Sequence, residues 1–305
     1  MVSRRGPLRR LLSSAAPRIL VVDGYAREGR AELASANATP AGELYAKMLK
    51  RWAPAPVEVD ICYPSDGPVD AETATARLAA EYAGVAWTGC NLTIMDGVSG
   101  RDERVAAQIE LQRRVFASGV PSFGSCWALQ VAVVAAGGAC RASPHGREQG
   151  VGRKNRLTPE GAAHPMFAGK PRVFDASQAH FDEVDEASLG PDTTVLAGNG
   201  WSSVQAAEVR APALGAGVFW GVQYHPEFDL RELAALTKAR REKFVKIGLF
   251  RDMAEADAHV ADLEALYAEP GRRDLRWKLG IDDDILDDRT REIEAINWLA
   301  HVLRA

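Results

Sequence analysis

Phe123-Gly124-Ser125-Cys126-Trp127-Ala128-Leu129-Gln130 puts a thiol between a short apolar run and an Ala/Val-rich stretch that reads as a helix. A cysteine at such a junction sits on a sharp turn at a helix N-terminus. The partial positive charge there favours thiolate, and free backbone N–H groups can hold a developing oxyanion. Gly124 and Ala128, each two residues from the thiol, let the backbone approach closely, as in the strand–nucleophile–helix elbow of serine hydrolases. An isolated Gly-x-Cys is more often a buried structural cysteine, so chemistry requires a base.

Trp220-Gly221-Val222-Gln223-Tyr224-His225-Pro226-Glu227-Phe228 supplies one. Its apolar run ends at His225, and Pro226, which cannot donate to a sheet ladder, marks the strand's end. In extended geometry Glu227 faces the same side as His225. It can take one imidazole N–H and leave the other nitrogen for the thiol, which is the logic of a nucleophile, a base and a base-orienter. Only the fold can bring Cys126 and His225 together.

The elements that must do so alternate. Strands are expected at Arg18–Asp23, Val57–Cys62, Gly84–Thr88 and Gly119–Gly124, with helices at Ala41–Lys50, Ala71–Tyr82, Arg101–Ser118 and from Cys126 to Ala136. That order predicts an α/β fold: an open, mostly parallel sheet with helices on both faces. From Gly138 to Tyr224 the pattern shifts to short strands, with candidates at Arg172–Asp175, Thr193–Ala197, Val204–Val209 and Gly217–Tyr224; these are expected to extend the same sheet. Residues 231–305 read as a helical C-terminal extension, with a capping box at Asp252–Glu255 and an apolar stripe of Ile293, Ile296, Leu299, Val302 and Leu303. Residues 1–17, with Arg4, Arg5, Arg9 and Arg10 and no acid, read as a basic, disordered extension or a transit peptide.

Bulk properties narrow the class. With 305 residues, 47% of them hydrophobic, there is enough chain for a large core, and a net charge of −4 argues against a nucleic-acid binder. No run is long and apolar enough for a spanning helix. Cys62, Cys90, Cys126 and Cys140 form no C-x-x-C pair, which suggests reduced thiols in a cytoplasmic setting. The scattered histidines predict no metal site, and Asp282-Asp283-Asp284 lacks the glycine and closing Glu of a calcium loop. Trp201, Trp220 and Trp298 are expected to be core or packing residues and not a base-stacking platform, and Arg147 and Glu148 either face a partner or pair with each other, the pairing being favoured.

G-x-C-x-x-x-Q followed much later by Q-Y-H-P-E resembles the class I glutamine amidotransferases, in particular the glutaminase domain of GMP synthase and its stand-alone relatives. Gly146-Arg147-Glu148-Gln149-Gly150 is similar to a G-R-E-x-G segment of that subgroup, and Ala179-His180-Phe181-Asp182 stands where relatives carry S-H-x-D. The resemblance covers residues 18–230. It implies a flavodoxin-like glutaminase fold, no cofactor, and a γ-glutamyl thioester formed on Cys126, with His225 moving protons and Glu227 orienting it. It also implies oxyanion donors at Trp127 and in the turn Gly89-Cys90, and substrate contacts from Gln130 and from Ala179, His180 and Phe181. Relatives usually carry Gly where this chain has Ala128, and Gly-Pro where it has Cys90-Asn91; the latter reshapes the pocket mouth.

Three functions are consistent with this. The chain is a glutaminase releasing ammonia to a separate synthetase, since no G-x-x-x-x-G-K-[ST] loop is present. Alternatively it is a free-standing hydrolase of a γ-glutamyl amine or peptide, with the extension as a lid or dimer surface. The remote third reading is a non-catalytic scaffold. Partners are therefore glutamine or a γ-glutamyl small molecule, a synthetase subunit under the first reading, and a second copy of the chain if the terminal helix docks outward.

Overall fold

A computed structural model of the protein describes residues 16–67 and 71–303. The basic segment at the N-terminus lies outside the described residues, apart from residues 16 and 17. The first half alternates as expected: β1 (Arg18–Val22), α1 (Arg27–Ser35), α2 (Ala41–Trp52), β2 (Glu58–Cys62), α3 (Ala71–Glu81), β3 (Gly84–Trp87), α4 (Ile94–Val98), α5 (Glu103–Ser118), β4 (Ser122–Ser125) and α6 (Trp127–Ala135). Then come β5 (Cys140–Ala142), β6 (Glu148–Leu157), α7 (Pro159–Ala163), β7 (Val173–His180), β8 (Asp182–Val184), β9 (Thr193–Gly198), β10 (Ala206–Arg210) and β11 (Val218–Val222). Six helices close the chain: α8 (Leu230–Lys246), α9 (Met253–Ala268), α10 (Arg273–Leu279), α11 (Asp283–Leu286), α12 (Asp288–Arg291) and α13 (Ile293–Val302).

Nine strands form one open sheet in the order β2-β1-β3-β4-β11-β10-β9-β6-β7, and β5 pairs with β8 apart from it. Strands β2, β1, β3, β4 and β11 run parallel, and the sheet continues through antiparallel β10, β9, β6 and β7. The late strands thus extend the sheet, as the sequence predicts. Alternation sorts β1 onto two faces: Leu20 and Val22 pack with α5 and α6, while Ile19 and Val21 pack with α2 and α13. A third apolar cluster joins α1 to α8, α9 and α10 through Leu33, Leu233, Leu263 and Leu275.

The terminal helix packs within its own chain. Trp298 stacks on Phe123 with ring centroids 5.8 Å apart and fills the space left by Gly84, where a Cβ would fall 2.7 Å from the indole. Its buried face is Ala295, Trp298, Leu299 and Val302, whereas Ile293, Ile296 and Leu303 are half-buried. Buried Glu294 also belongs to this face, because Lys170 Nζ lies 3.0 Å and the Tyr224 hydroxyl 2.6 Å from its Oε1.

Several expectations are corrected. Helices α1 and α4 were not anticipated, and neither was β6, whose Glu-Gln-Gly-Val-Gly-Arg-Lys-Asn-Arg-Leu has no apolar alternation; its buried side chains include Glu148 and Asn155. Trp201 is exposed and lies beside His145, not in the core. The Asp252 cap accepts from the Glu255 N–H at 2.8 Å, but Glu255 returns its carboxylate to Arg251 N–H, so the box is one residue skewed. Asp282 caps α11 and, with Asp283, pairs with Arg276 at an exposed helix start as expected, while half-buried Asp284 accepts from the Asp175 N–H at 2.9 Å.

Candidate active site

Strand β4 delivers Cys126 to the carboxyl edge of the parallel sheet, at its junction with α6. The turn is tight: a Cβ on Gly124 would fall 2.4 Å from Ala128 Cβ and 2.7 Å from the Trp87 carbonyl oxygen. Cys126 itself has φ 53°, a left-handed conformation that costs a non-glycine residue free energy and clusters at functional sites. Its N–H donates to the Val222 carbonyl at 2.7 Å, tying the nucleophile turn to the end of β11. Trp127 is the first helical residue, so its N–H precedes the intrahelical ladder.

The neighbouring strand carries His225 and Glu227 just beyond its end. They lie in a turn, not in the extended geometry expected, because Phe228 N–H closes back on the His225 carbonyl at 3.2 Å. The turn still brings the side chains together, with His225 Nδ1 2.7 Å from Glu227 Oε1. Phe228 stacks flat on the imidazole at 4.1 Å, and the His225 N–H donates to the Ser177 carbonyl at 2.8 Å. Nε2 has no hydrogen-bond partner among the described residues. Burial pulls the imidazole pKa down, but the charges of Glu227 and the Cys126 sulfur outweigh it and push it up to about 10. No hydrogen bond joins Nε2 to the Cys126 sulfur, but the sulfur's charge reaches the ring.

Two residues join this group that the sequence reading did not single out. Ser125 Oγ donates to Glu227 Oε1 at 3.1 Å, and the Tyr45 hydroxyl donates to Ser125 Oγ at 2.6 Å. Burial, then the Glu227 charge, hold the Tyr45 pKa well above its usual value, so the phenol stays a donor. Adjacency to the nucleophile was the one signal for Ser125. Nothing in sequence links Tyr45 to the site.

Gly89 packs against the imidazole: a Cβ there would fall 2.8 Å from His225 Cε1. Cys90 Sγ donates to the Gly24 carbonyl at 2.9 Å, and Asn91 Oδ1 accepts from Ala26 N–H at 3.0 Å, so this turn is stitched to the one after β1. Burial pushes the Cys90 thiol up, away from thiolate.

A cavity of about 690 Å³ opens over Cys126, and Cys90, Trp127, Gln130, Ala179, His180 and Phe181 also line it. His225 and Glu227 lie behind, buried. Gln130 is braced by its Nε2, which donates to the Asp182 carbonyl at 2.9 Å. The His180 ring is held on both sides, by the Asp182 carbonyl at 3.0 Å and by Glu148 at 2.9 Å. Glu148 therefore pairs with His180 and not with Arg147, contrary to expectation. Arg147 instead donates to Gln149 Oε1 at 2.9 Å and to the Ala179 carbonyl at 3.1 Å. Among the described residues no cluster of His, Cys, Asp and Glu is arranged to hold a metal ion, and no helix is long and apolar enough to cross a membrane.

Known proteins resemble this chain in sequence and in fold. A curated relative named gamma-glutamyl-L-1-hydroxyisopropylamide hydrolase, from a Pseudomonas species, is 30% identical over 293 residues, which is 94% of this chain and 93% of that protein. A glutamine-hydrolysing GMP synthase from Thermomicrobium roseum is 34% identical over 119 residues, 39% of this chain and 20% of that protein. The crystal structure of a glutamine amidotransferase from Thermotoga maritima superimposes with a TM-score of 0.57 at 15% identity, covering 95% of this chain and 97% of that one, and so shares the fold. Residues 71–240 match the family Glutamine amidotransferase class-I. With that match and the near full-length relative, the chain belongs to the class I glutamine amidotransferases.

Proposed function

We propose that this enzyme hydrolyses the amide bond of a γ-glutamyl amine, with Cys126, His225 and Glu227 as its catalytic residues. The observation that carries the reading is a strained thiol at the floor of a cavity, backed by an imidazole whose far nitrogen is held by a carboxylate 2.7 Å away. Cys126 Sγ attacks the amide carbon. The resulting oxyanion is met by the Trp127 N–H and by the Gly89-Cys90 turn. His225, protonated at neutral pH and facing the sulfur, gives its proton to the leaving amine as the C–N bond breaks. It then takes a proton from the water that cleaves the γ-glutamyl thioester, and glutamate leaves. Gln130 and the segment Ala179–Phe181 line the substrate's path. Residues 18–230 supply this machinery, and the helices from Leu230 to Val302 brace and border it.

A γ-glutamyl amine is favoured over free glutamine because the relative matching almost the whole chain, C-terminal helices included, is named for such a hydrolase. The cavity, at about 690 Å³, falls in the range of sites for drug-sized ligands. The GMP synthase likeness supports the second reading, a glutaminase serving a synthetase subunit. A cytoplasmic, reducing compartment suits the free thiols Cys62, Cys90, Cys126 and Cys140 under either reading.

Amine or ammonia release from glutamine and from a series of γ-glutamyl alkylamides tests the choice. The purified protein alone should turn over the alkylamides at least tenfold faster than glutamine, and Cys126→Ala should abolish both. Turnover surviving in Cys126→Ala overturns the mechanism. Weak activity confined to glutamine, rising when a synthetase is added, supports the second reading instead.

A further inference from the structure

Four acids and four cations line the cavity, but they do not pair off with one another. Among the acids, Glu28 Oε1 accepts from Arg104 at 2.8 Å, Glu32 from Arg240 at 3.0 Å, and Asp96 lies 2.9 Å from Arg101. Asp182 accepts from the Thr93 hydroxyl at 2.5 Å, and burial raises its pKa. Each is committed. Of the four cations lining the same space, Arg101 and Arg240 hold acids, whereas Arg147 and Lys243 lie within ion-pair distance of no carboxylate among the described residues. Both feel the charge of Glu32, but that carboxylate belongs to Arg240.

Arg147 is half-buried and fixed in place. Its Nε and one Nη2 hydrogen are used on Gln149 and the Ala179 carbonyl, and its guanidinium lies 5.5 Å from the Phe244 ring centroid. A guanidinium carries five N–H donors, so those on Nη1 and the second on Nη2 stay available. A desolvated cation without a counter-ion is costly unless a ligand supplies the charge. The fixed planar fork of an arginine suits a carboxylate, whereas a lysine adds a movable point charge.

We propose that Arg147 and Lys243 form the subsite for the α-carboxylate of the γ-glutamyl group, which makes helix α8 of the C-terminal extension a specificity element. This rests on the γ-glutamyl reading above. Arg240, pinned to Glu32, walls the subsite and keeps that acid from neutralising Arg147. The Ala179 carbonyl, oriented by Arg147, lies beside the same subsite, where the neighbouring α-ammonium can donate to it.

The test compares two amides, γ-glutamyl ethylamide and N-ethyl-4-aminobutanamide, which differ only in the α-carboxylate. The wild type should prefer the first by about 100-fold in kcat/KM. Arg147→Gln should reduce that preference about tenfold or more, mainly through KM of the carboxylated substrate, with the carboxylate-free amide losing less. Lys243→Gln, at an exposed position, should reduce it severalfold and weaken its dependence on salt. A wild type indifferent to the carboxylate, or a preference unchanged in both variants, overturns the subsite. If Arg147→Gln does not fold, Lys243→Gln decides alone. If the wild type hydrolyses neither amide, the γ-glutamyl reading fails. Calorimetric titration with L-glutamate against 4-aminobutyrate then still reads the subsite, and equal affinities would dismiss it.

Discussion

Gly89 and His225 are in contact across the sheet edge, where the space for a Cβ at position 89 is already occupied by the imidazole Cε1 at 2.8 Å. Any side chain there must push the ring off its line to Cys126. Gly89→Ala should therefore fold normally yet lose about 100-fold in kcat, the scale of effect expected from a misplacement of about 1 Å. Steady-state kinetics beside a thermal melt checks this, and an unchanged kcat would show that the ring has room to spare.

Ser125 and Tyr45 form a chain of donors ending on the carboxylate that holds His225. A hydrogen bond to a buried charge contributes about 1.5–3 kcal/mol. Ser125→Ala should lower kcat about tenfold with KM little changed, and should shift the pH–rate profile; Tyr45→Phe should do the same more weakly. A purely packing role would leave the profile where it was.

The raised pKa of His225 has a consequence for stability. Its folded value, about 10, lies above the usual 6.5, so the native state holds a proton that the unfolded chain gives up. The stabilisation is complete below about pH 6.5 and is lost as pH rises toward 10. Urea unfolding of wild type and His225→Gln should differ most at pH 6 and least at pH 10. A gap that widens with pH contradicts the assignment of that proton.

Lys170 and Glu294 form a fully buried ion pair at 3.0 Å, with Tyr224, next to His225, donating to the same oxygen. Removing one partner strands the other charge. Glu294→Ala should destabilise the protein by about 3–5 kcal/mol, measured by chemical denaturation. Because Arg291 Nε also donates to the Pro226 carbonyl at 3.1 Å, the terminal helices brace the turn that carries His225 and Glu227 directly. A loss below about 1 kcal/mol would mean that this end of the chain is not anchored through Glu294.

The Cys126 elbow and the His-Pro-Glu segment could be read from the chain because the residues each needs are neighbours: a thiol between small residues, and a base two positions from a carboxylate. The parallel strands were equally readable, since β1, β3 and β4 are buried runs that local composition describes. Strand β6 was not. It is held by buried polar partners, Glu148 with His180 and Asn199, and no periodicity announces such pairs. The His225–Glu227 contact was foreseen while its backbone was not, because a turn and a strand can both bring those side chains together.

By itself the sequence determined which atoms are candidates for reaction, since nucleophile, base and carboxylate are properties of residue type and short spacing. Tertiary structure decided what surrounds them. Tyr45 reaches Ser125, Gly89 makes room for His225, and Arg147 and Lys243 lack counter-ions only because segments remote in sequence converge on one sheet edge. Contact, burial and charge balance depend on that convergence, and local sequence does not encode it.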